Sequence, residues 1–353
     1  MNTLRLAVDP AHLDTAEARQ AIAQAAGILR RGGLVALPTE TVYGLGASAL
    51  DTAAVARIFA AKQRPAWDPI IVHISGPADA GNPMLQSLVS EIPNTARKLI
   101  AAFWPGPLTL LLPRSAAVPD AVTAGRPLVG IRMPAHPVAF ELIQQAGIPV
   151  AAPSANIFAH ISPTTADHVL ADLDGRIDAI LDSGPTLHGV ESTVLDPDRM
   201  TIYRPGAITA QQIRDIAGPV EVFEAPQSIP GEALPSPGVG LRHYAPSATL
   251  VLIDSTLDDM PRKFADAAAR FPGQRLGLML PTELASVDSI AALRAEVFLW
   301  GRWAAPDQLA HNLYAGLRAL DAQQCTVILC PLPPEAGVGA AIRDRLHKAA
   351  QSL

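Results

Sequence analysis

The chain has 353 residues, more than the roughly 250 to 300 at which one hydrophobic core usually stops growing, so we expect two domains. Hydrophobic residues make up 49% and charged residues only 17%, which excludes a disordered chain. A formal net charge of -6 excludes an extended surface that holds a polyanion electrostatically. No apolar run approaches the ~20 residues of a membrane helix, and none near the N-terminus suits a signal peptide. We therefore expect no membrane contact and a cytoplasmic location.

Apolar periodicity predicts alternating helices and strands over the first 206 residues. Ser162 followed by Pro163 is typical of an N-cap with a proline in the first turn. Helices are predicted over residues 16–31, 52–62, 85–103 and from Ser162 to 170. Strands are predicted over residues 34–38, 69–74, 108–112, 128–133, 149–152, 179–181, 192–195 and 201–204. This order predicts a mixed α/β domain.

Prolines and glycines interrupt the pattern between residues 225 and 246, where we expect either a linker or a functional lid. The alternation then resumes. Strands are predicted over residues 250–253, 276–280, 297–300 and 326–329, and helices over 260–271, 307–321 and 338–350. The second domain is therefore predicted to be a small, doubly wound, Rossmann-like sheet. The predicted boundaries are 1–220 for the first domain, 221–247 for the linker and 248–353 for the second domain.

Several familiar motifs fail on inspection. Residues 44–49 fit a relaxed GxGxxA dinucleotide fingerprint, but Asp68 precedes its strand, whereas the fingerprint acid ends one. The sequence contains no GxxxxGK[ST], HExxH, CxxC or GxSxG. Walker ATPases, zinc hydrolases and serine esterases of the usual kinds are thereby excluded.

Polar residues at strand and helix ends remain. Lys62 and Arg64 end a helix, where they suit a triphosphate, although cations interacting with the helix dipole are the alternative. His73 ends an apolar strand, where a core histidine is the ordinary reading. Arg132 interrupts an apolar strand, and a buried charge is costly unless it meets an anion or a carboxylate.

Further polar groups follow the later strands. Ser154 and Asn156 come directly after one strand, and Ser192 and Arg204 open and close the last two. Each alone could belong to a turn or a core hydrogen bond. Since strand ends of an α/β sheet form the usual ligand crevice, their number predicts a nucleotide site.

The order of these motifs makes the resemblance specific. The segments LPTETVYGLG, AKQRP, DPIIVHI, WPGPLTL, GIRMP, APSAN, ESTV and YRPGAI, between residues 37 and 208, closely resemble the YrdC-type threonylcarbamoyl-AMP synthases. SPGVGLRHYAP and the segments 313–318 and 337–350 resemble the long, two-domain form. The resemblance implies a twisted, mixed α/β and largely parallel sheet around a concave cationic cavity, followed by a Rossmann-like C-terminal domain.

The resemblance also implies an activity. Such enzymes make threonylcarbamoyl-adenylate and pyrophosphate from L-threonine, bicarbonate or CO2, and ATP with Mg2+. The product serves a transferase that modifies the adenosine next to the anticodon of certain tRNAs. Magnesium is expected to be held by the triphosphate and not by a protein cage.

Residue roles are carried over from the same resemblance. Lys62 and Arg64 are expected to position the phosphates, and no acid–base residue is identified. The residues implied for ATP are Lys62, Arg64, Asp68, Thr109, Ser154, Asn156, Ser162, Arg204, His243 and Tyr244. The residues implied for threonine are Thr41, His73, Arg132, Ala152 and Ser192.

Two alternatives stay open. One is a relative that handles carbamoyl-adenylate, as hydrogenase-maturation proteins do, although their acylphosphatase and zinc-finger modules are absent from this sequence. The other is a non-catalytic module that grips structured RNA. The shortage of basic residues argues against this second alternative, and against stable direct binding of tRNA.

Overall fold

The computed structural model describes residues 2–223 and 244–350. These residues form two compact units. The first contains residues 2–158, 162–187 and 191–223, and the second contains residues 159–161, 188–190 and 244–350. Most of the predicted linker, including His243, lies outside the described residues. None of the described helices is long and apolar enough to cross a membrane.

The first unit is built on one sheet of eleven strands. They are β1 (Leu4–Ala7), β2 (Val35–Leu37), β3 (Gly44–Ser48), β4 (Val72–His73), β5 (Leu108–Pro113), β6 (Leu128–Arg132), β7 (Val150–Ala151), β8 (Ala179–Asp182), β9 (Thr193–Asp196), β10 (Thr201–Arg204) and β11 (Glu221–Val222). Their order across the sheet is β1-β8-β2-β3-β7-β4-β6-β5-β9-β10-β11. Five of the ten neighbouring pairs are parallel and five are antiparallel. The expectation of a largely parallel sheet is therefore wrong, and the sheet is evenly mixed.

Helices cover this sheet through two apolar clusters. They are α1 (Ala16–Arg30), α2 (Thr52–Lys62), α3 (Pro83–Leu88), α4 (Asn94–Phe103), α5 (Asp120–Thr123), α6 (Pro137–Ala146), α7 (Ala166–Leu173) and α8 (Ala210–Ala217). One cluster packs α1 and α6 against β2 and β8, and the larger one packs α2, α4, α7 and α8 against β5 and β6. The polar row described below lies on the central strands that these clusters hold in place.

Three local predictions need correction. The helix expected over residues 85–103 is two helices, because α3 ends at Leu88 and α4 begins at Asn94, directly after Pro93. The cap expected at Ser162 is instead Thr165, whose Oγ1 accepts a hydrogen bond from the backbone N–H of His168. Strand β3 and helix α6 are absent from the prediction; small residues such as Gly44 and Gly46 give β3 little β-propensity.

The second unit contains a four-stranded, fully parallel sheet. Its strands are β12 (Thr249–Ile253), β13 (Leu276–Pro281), β14 (Glu296–Gly301) and β15 (Val327–Pro331), in the order β12-β15-β13-β14. Its helices are α9 (Met260–Ala268), α10 (Asp288–Ala291), α11 (Pro306–Ala322) and α12 (Gly339–Ala350), with a 3-10 turn at Thr282–Leu284. Phe264 of α9 packs against Leu278 of β13, and Gly316 of α11 lies against Met279, which points the other way along the same strand. Helices therefore cover both faces, and the predicted fold class is confirmed.

Domain boundaries stay a prediction. The sheet of the first unit includes β11 at residues 221–222, where the predicted linker begins. The second unit also takes in residues 159–161 and 188–190 from the predicted first domain.

Candidate active site

Four predicted site residues lie along one row that crosses the first sheet. His73 of β4 pairs with Arg132 of β6, and the antiparallel register of β5 and β6 places Thr109 opposite Arg132. Thr109 also pairs with Val194 of β9, which pairs with Arg204 of β10. Because paired residues on adjacent strands point to the same face, the row gathers polar side chains from four strands.

Arg132 is buried at the end of β6 and contacts three protein oxygens. Its Nε donates to the carbonyl oxygen of Gly106 at 3.3 Å, and its Nη1 donates to Oγ1 of Thr41 at 2.9 Å. Its Nη2 lies 2.7 Å from Oε1 of Glu40, and the two side chains are 4% and 5% exposed. Arg132 thus meets a carboxylate of the protein itself. Its contact with a threonine carboxylate stays a prediction.

Burial and neighbouring groups set the protonation states of the acid and the two histidines around Arg132. Burial alone would raise the pKa of Glu40, but the charge of Arg132 and nearby N–H groups of Arg132, Glu40 and Ala135 lower it below its ordinary value. Burial, together with the charge of Arg132, lowers the pKa of His73 to about 3. Burial also lowers the pKa of His136. Near neutral pH both histidines are therefore neutral, and Glu40 is the group that balances Arg132.

Lys62 joins helix α2 to the loop that follows β7. It is 1% exposed, and its Nζ donates to the carbonyl oxygens of Ser154 at 2.6 Å and of Asn156 at 2.5 Å. Burial, together with the charge of Arg64, lowers the pKa of Lys62 well below its ordinary value. The structure therefore brings together three residues of the predicted ATP set and gives Lys62 a role in holding the 154–156 loop.

Arg64 and Asp68 form a second buried ion pair. Nη2 of Arg64 lies 2.9 Å from Oδ2 of Asp68, and the side chains are 6% and 0% exposed. The guanidinium also donates to the carbonyl oxygens of Asp68 and Pro69 at 3.2 and 2.8 Å. Burial raises the pKa of Asp68, although the charges of Arg64, Lys62 and Arg204 act in the opposite direction. These contacts fix the 64–69 loop beside the end of α2.

Ser192, of the predicted threonine set, is hydrogen-bonded to two residues of the predicted ATP set. Its Oγ shares a 2.8 Å hydrogen bond with Oγ1 of Thr109 and accepts one from Nη2 of Arg204 at 3.1 Å. Nε of Arg204 donates to the carbonyl oxygen of Ser192, also at 3.1 Å. Gly206 then packs so closely that a Cβ atom there would lie 2.3 Å from the backbone nitrogen of Thr193. The ends of β9 and β10 are therefore locked together.

Two further residues of the predicted sets lie in the first unit. Oγ of Ser162 donates to Oε1 of Glu191 at 2.6 Å, and both side chains are buried. Ala152 follows β7, and its backbone N–H donates to the carbonyl oxygen of Ile71 at 2.9 Å. The structure thus places Ala152 near the strand that carries His73.

Tyr244 belongs to the second unit. Its ring stacks on that of Tyr314, with centroids 5.7 Å apart, and the guanidinium carbon of Arg345 lies 5.3 Å from its centroid. His243 lies outside the described residues. The assignment of both residues to ATP stays a prediction.

Comparison with known proteins decides the family. A family model described as "Telomere recombination", covering the Sua5, YciO and YrdC proteins, matches residues 27–206. A second, "Threonylcarbamoyl-AMP synthase, C-terminal domain", matches residues 208–351. The chain belongs to the threonylcarbamoyl-AMP synthase family. The predicted resemblance is thereby confirmed for the two-domain form.

Relatives in this family match nearly the whole chain. The threonylcarbamoyl-AMP synthase of Pyrococcus abyssi is 42% identical, with 92% of each chain covered. That of Bacillus subtilis is 44% identical, covering 93% of this chain and 92% of its own. The structure of P. abyssi Sua5 complexed with L-threonine matches with a TM-score of 0.88 at 40% identity, covering 99% of this chain and 98% of that one.

Within this threonylcarbamoyl-AMP synthase family fold, the sequence prediction omits the buried Glu40 and Glu191 and the half-buried His136. A signal for Glu40 was present. The cost of burying Arg132 requires an anionic partner, and Glu40 stands next to Thr41, which was assigned to the same site. Nothing comparable in the sequence indicates His136.

The resemblance implies a cationic cavity, but buried acidic side chains accompany the basic ones. The four cations of the predicted sets are Lys62, Arg64, Arg132 and Arg204. They are accompanied by three buried carboxylates, Glu40, Asp68 and Glu191. The concave shape of the cavity stays a prediction.

Proposed function

We propose that the chain is an L-threonylcarbamoyladenylate synthase, a nucleotidyltransferase that joins L-threonine, bicarbonate or CO2, and ATP and releases pyrophosphate. The match of both family models over residues 27–206 and 208–351 carries this proposal. Four of the predicted site residues support it, because His73, Thr109, Arg132 and Arg204 lie in one row across strands of the first unit. The carbamoyl-adenylate alternative is not favoured by these relatives.

The proposed chemistry needs no protein nucleophile. After its ammonium form has lost a proton to solvent, the threonine amine attacks CO2, and the N–C bond that forms is accompanied by loss of a second proton to solvent. An oxygen of the resulting carbamate attacks the α-phosphorus of ATP in line and expels pyrophosphate. The protein contributes position and charge, as in other phosphoryl and nucleotidyl transfers. The buried cations Lys62, Arg64 and Arg204 suit the phosphates. The neutral His73, together with Arg132 and its ion-pair partner Glu40, suits the small amino acid.

Magnesium is proposed as a companion of ATP, held by its phosphates, where it would neutralise developing charge. Asp68, the one carboxylate of the predicted ATP set, already contacts Arg64. Residues 2–223 and 244–350 contain no group of three or more His, Cys, Asp or Glu that could hold a metal.

We further propose that the adenylate passes to a tRNA threonylcarbamoyl transferase in the cytoplasm. An activated carbamate is labile in water, so its consumer must act soon after release. The buried polar row of the first unit would be the synthetic site, and direct, stable tRNA binding is not expected given the net charge of -6.

Pyrophosphate release tests the function. We expect release from ATP only when L-threonine and bicarbonate are both present. Equal release from ATP alone would indicate a plain ATPase. A tRNA mobility shift over a range of salt concentrations tests the RNA-binding alternative, which requires strong, salt-sensitive binding without turnover.

A further inference from the structure

A cluster of buried polar atoms beside Arg132 lacks hydrogen bonds of regular geometry among the described residues. It comprises both carboxylate oxygens of Glu40, Nη2 of Arg132 and the Nδ1 atoms of His73 and His136. The side chains of Glu40, His73 and Arg132 are 3 to 4% exposed. Nη2 of Arg132 and Oε1 of Glu40 contact one another, and N–H groups of Glu40 and Ala135 act on the carboxylate. Buried polar atoms nearly always complete their hydrogen bonds, so the incomplete set here indicates a polar ligand.

The residues that carry these atoms are neighbours. Nη2 of Arg132 lies 2.7 Å from Oε1 of Glu40. His73 pairs with Arg132 across β4 and β6. The charge of Glu40 acts on both His73 and His136. The cluster therefore offers donors and acceptors to one small volume.

The charges of the cluster favour a zwitterion. Glu40 and Arg132 cancel, and the two histidines add no charge near neutral pH. A ligand with net charge would leave a buried charge unbalanced, which is costly. An α-amino acid carries a carboxylate and an ammonium group on one carbon, so it can place one opposite charge beside each member of the pair.

We infer that Glu40 binds the α-ammonium group of the amino-acid substrate while Arg132 takes its carboxylate. This inference rests on the proposed function, because it concerns the threonine site of that reaction. The Nδ1 atoms of the two histidines remain for other polar groups of the ligand. Charge-assisted hydrogen bonds of this kind are the strong ones in a buried site.

A competing role must be separated from this one. Glu40 could act only by holding the guanidinium of Arg132 in place. Loss of Glu40 would then weaken every ligand that uses Arg132, whether or not it has an amine. A ligand without the amine distinguishes the two roles.

The experiment compares L-threonine with (R)-3-hydroxybutanoate, which keeps the carboxylate, hydroxyl and methyl groups and lacks the amine. Isothermal titration onto the full chain and onto Glu40→Gln measures both ligands. We expect Glu40→Gln to weaken threonine by about tenfold or more and to leave hydroxybutanoate unchanged or tighter. Asp68→Asn, which removes a buried carboxylate from the other ion pair, should leave the ratio of the two affinities unchanged.

Equal weakening of both ligands, or unchanged threonine binding, would overturn the inference. Should Glu40→Gln fail to fold by circular dichroism, Glu40→Asp keeps the charge and retracts it by one methylene. That variant should then lose threonine affinity selectively, and an equal loss for both ligands again counts against the ammonium contact. An unmodified chain that binds threonine but releases no threonine-dependent pyrophosphate would reject the proposed function and leave the Glu40 comparison intact.

Discussion

Two buried arginine–carboxylate pairs in the first unit look alike and behave differently. Glu40 and Arg132 approach to 2.7 Å, and Asp68 and Arg64 approach to 2.9 Å, all four side chains being less than 7% exposed. Yet the pKa of Glu40 lies below its ordinary value and that of Asp68 lies above it.

The difference comes from the groups around each acid. Burial raises the pKa of both acids. Nearby N–H groups, added to the charge of Arg132, overcome this effect at Glu40, whereas the charges around Asp68 do not. The predicted threonine side therefore keeps a permanent carboxylate. The predicted ATP side holds an acid that accepts a proton more readily than an ordinary aspartate.

The largest expected effect is on stability. Arg132→Ala leaves an ionised Glu40 buried without its partner, and we expect the free energy of unfolding to fall by about 3 to 5 kcal/mol. Arg64→Ala should cost less, about 1 to 3 kcal/mol, because Asp68 can be protonated instead. Urea unfolding of both variants measures the difference. Equal losses would remove the distinction between the two pairs.

The second effect is on ligand affinity. Arg132→Ala should weaken threonine by about 2 to 5 kcal/mol, the usual cost of losing one partner of a buried charge pair, with little change for ATP. Arg64→Ala should weaken ATP and leave the binding of threonine without nucleotide nearly unchanged. Isothermal titration of each substrate onto each variant decides between them, and matching losses for both ligands would contradict the assignment.

The third effect is on pH dependence. Because the pKa of Glu40 is lowered on folding, its contribution to stability is present above its ordinary value of 4.5 and is lost as the pH falls through its folded value. For Asp68 the sign reverses, and stability falls as the pH rises from 3.8 through its raised value.

Two matched variants test these signs. The stability difference between the unmodified chain and Glu40→Gln should shrink as the pH falls. The difference between the unmodified chain and Asp68→Asn should shrink as the pH rises. Urea unfolding over a pH series measures both, and slopes of the same sign would show that the two acids are alike.

The smallest effect concerns the substrate. Serine lacks one methyl group of threonine, so its use should be poorer by about 1 to 3 kcal/mol in kcat/KM. The KM for ATP should change little, since the change lies on the amino-acid side. Pyrophosphate release with each amino acid provides the measurement. Equal use of serine would count against a threonine-shaped pocket.

The sequence indicated both members of the Arg64–Asp68 pair but only the arginine of the Glu40–Arg132 pair. Arg132 interrupts an apolar strand, so its cost of burial was visible in the sequence. Glu40 stands among threonines in a loop, where a carboxylate is normally solvated, and only tertiary packing reveals that it is 4% exposed. His136 at the N-terminus of α6 gave no pattern at all.

The predicted helices and strands also differ in how well the sequence indicated them. The long helix α11 has Leu309, Leu313 and Leu317 on one buried face and was predicted to within two residues. Strand β4 has only two residues in the sheet, against six predicted, because apolar residues before it are buried without pairing as a strand. Apolar periodicity shows which residues are buried. It predicts a strand correctly only where the buried residues also pair in a sheet.

The close packing at Gly206 limits which sequences this site can tolerate. Any side chain there would meet backbone atoms of residues 191–193 at 2.3 to 2.5 Å, and backbone does not yield as a flexible side chain does. The displaced segment carries Ser192, to which Thr109 and Arg204 are hydrogen-bonded. In a saturation screen, position 206, which offers no functional group to a ligand, should therefore be as intolerant as the arginine two residues before it.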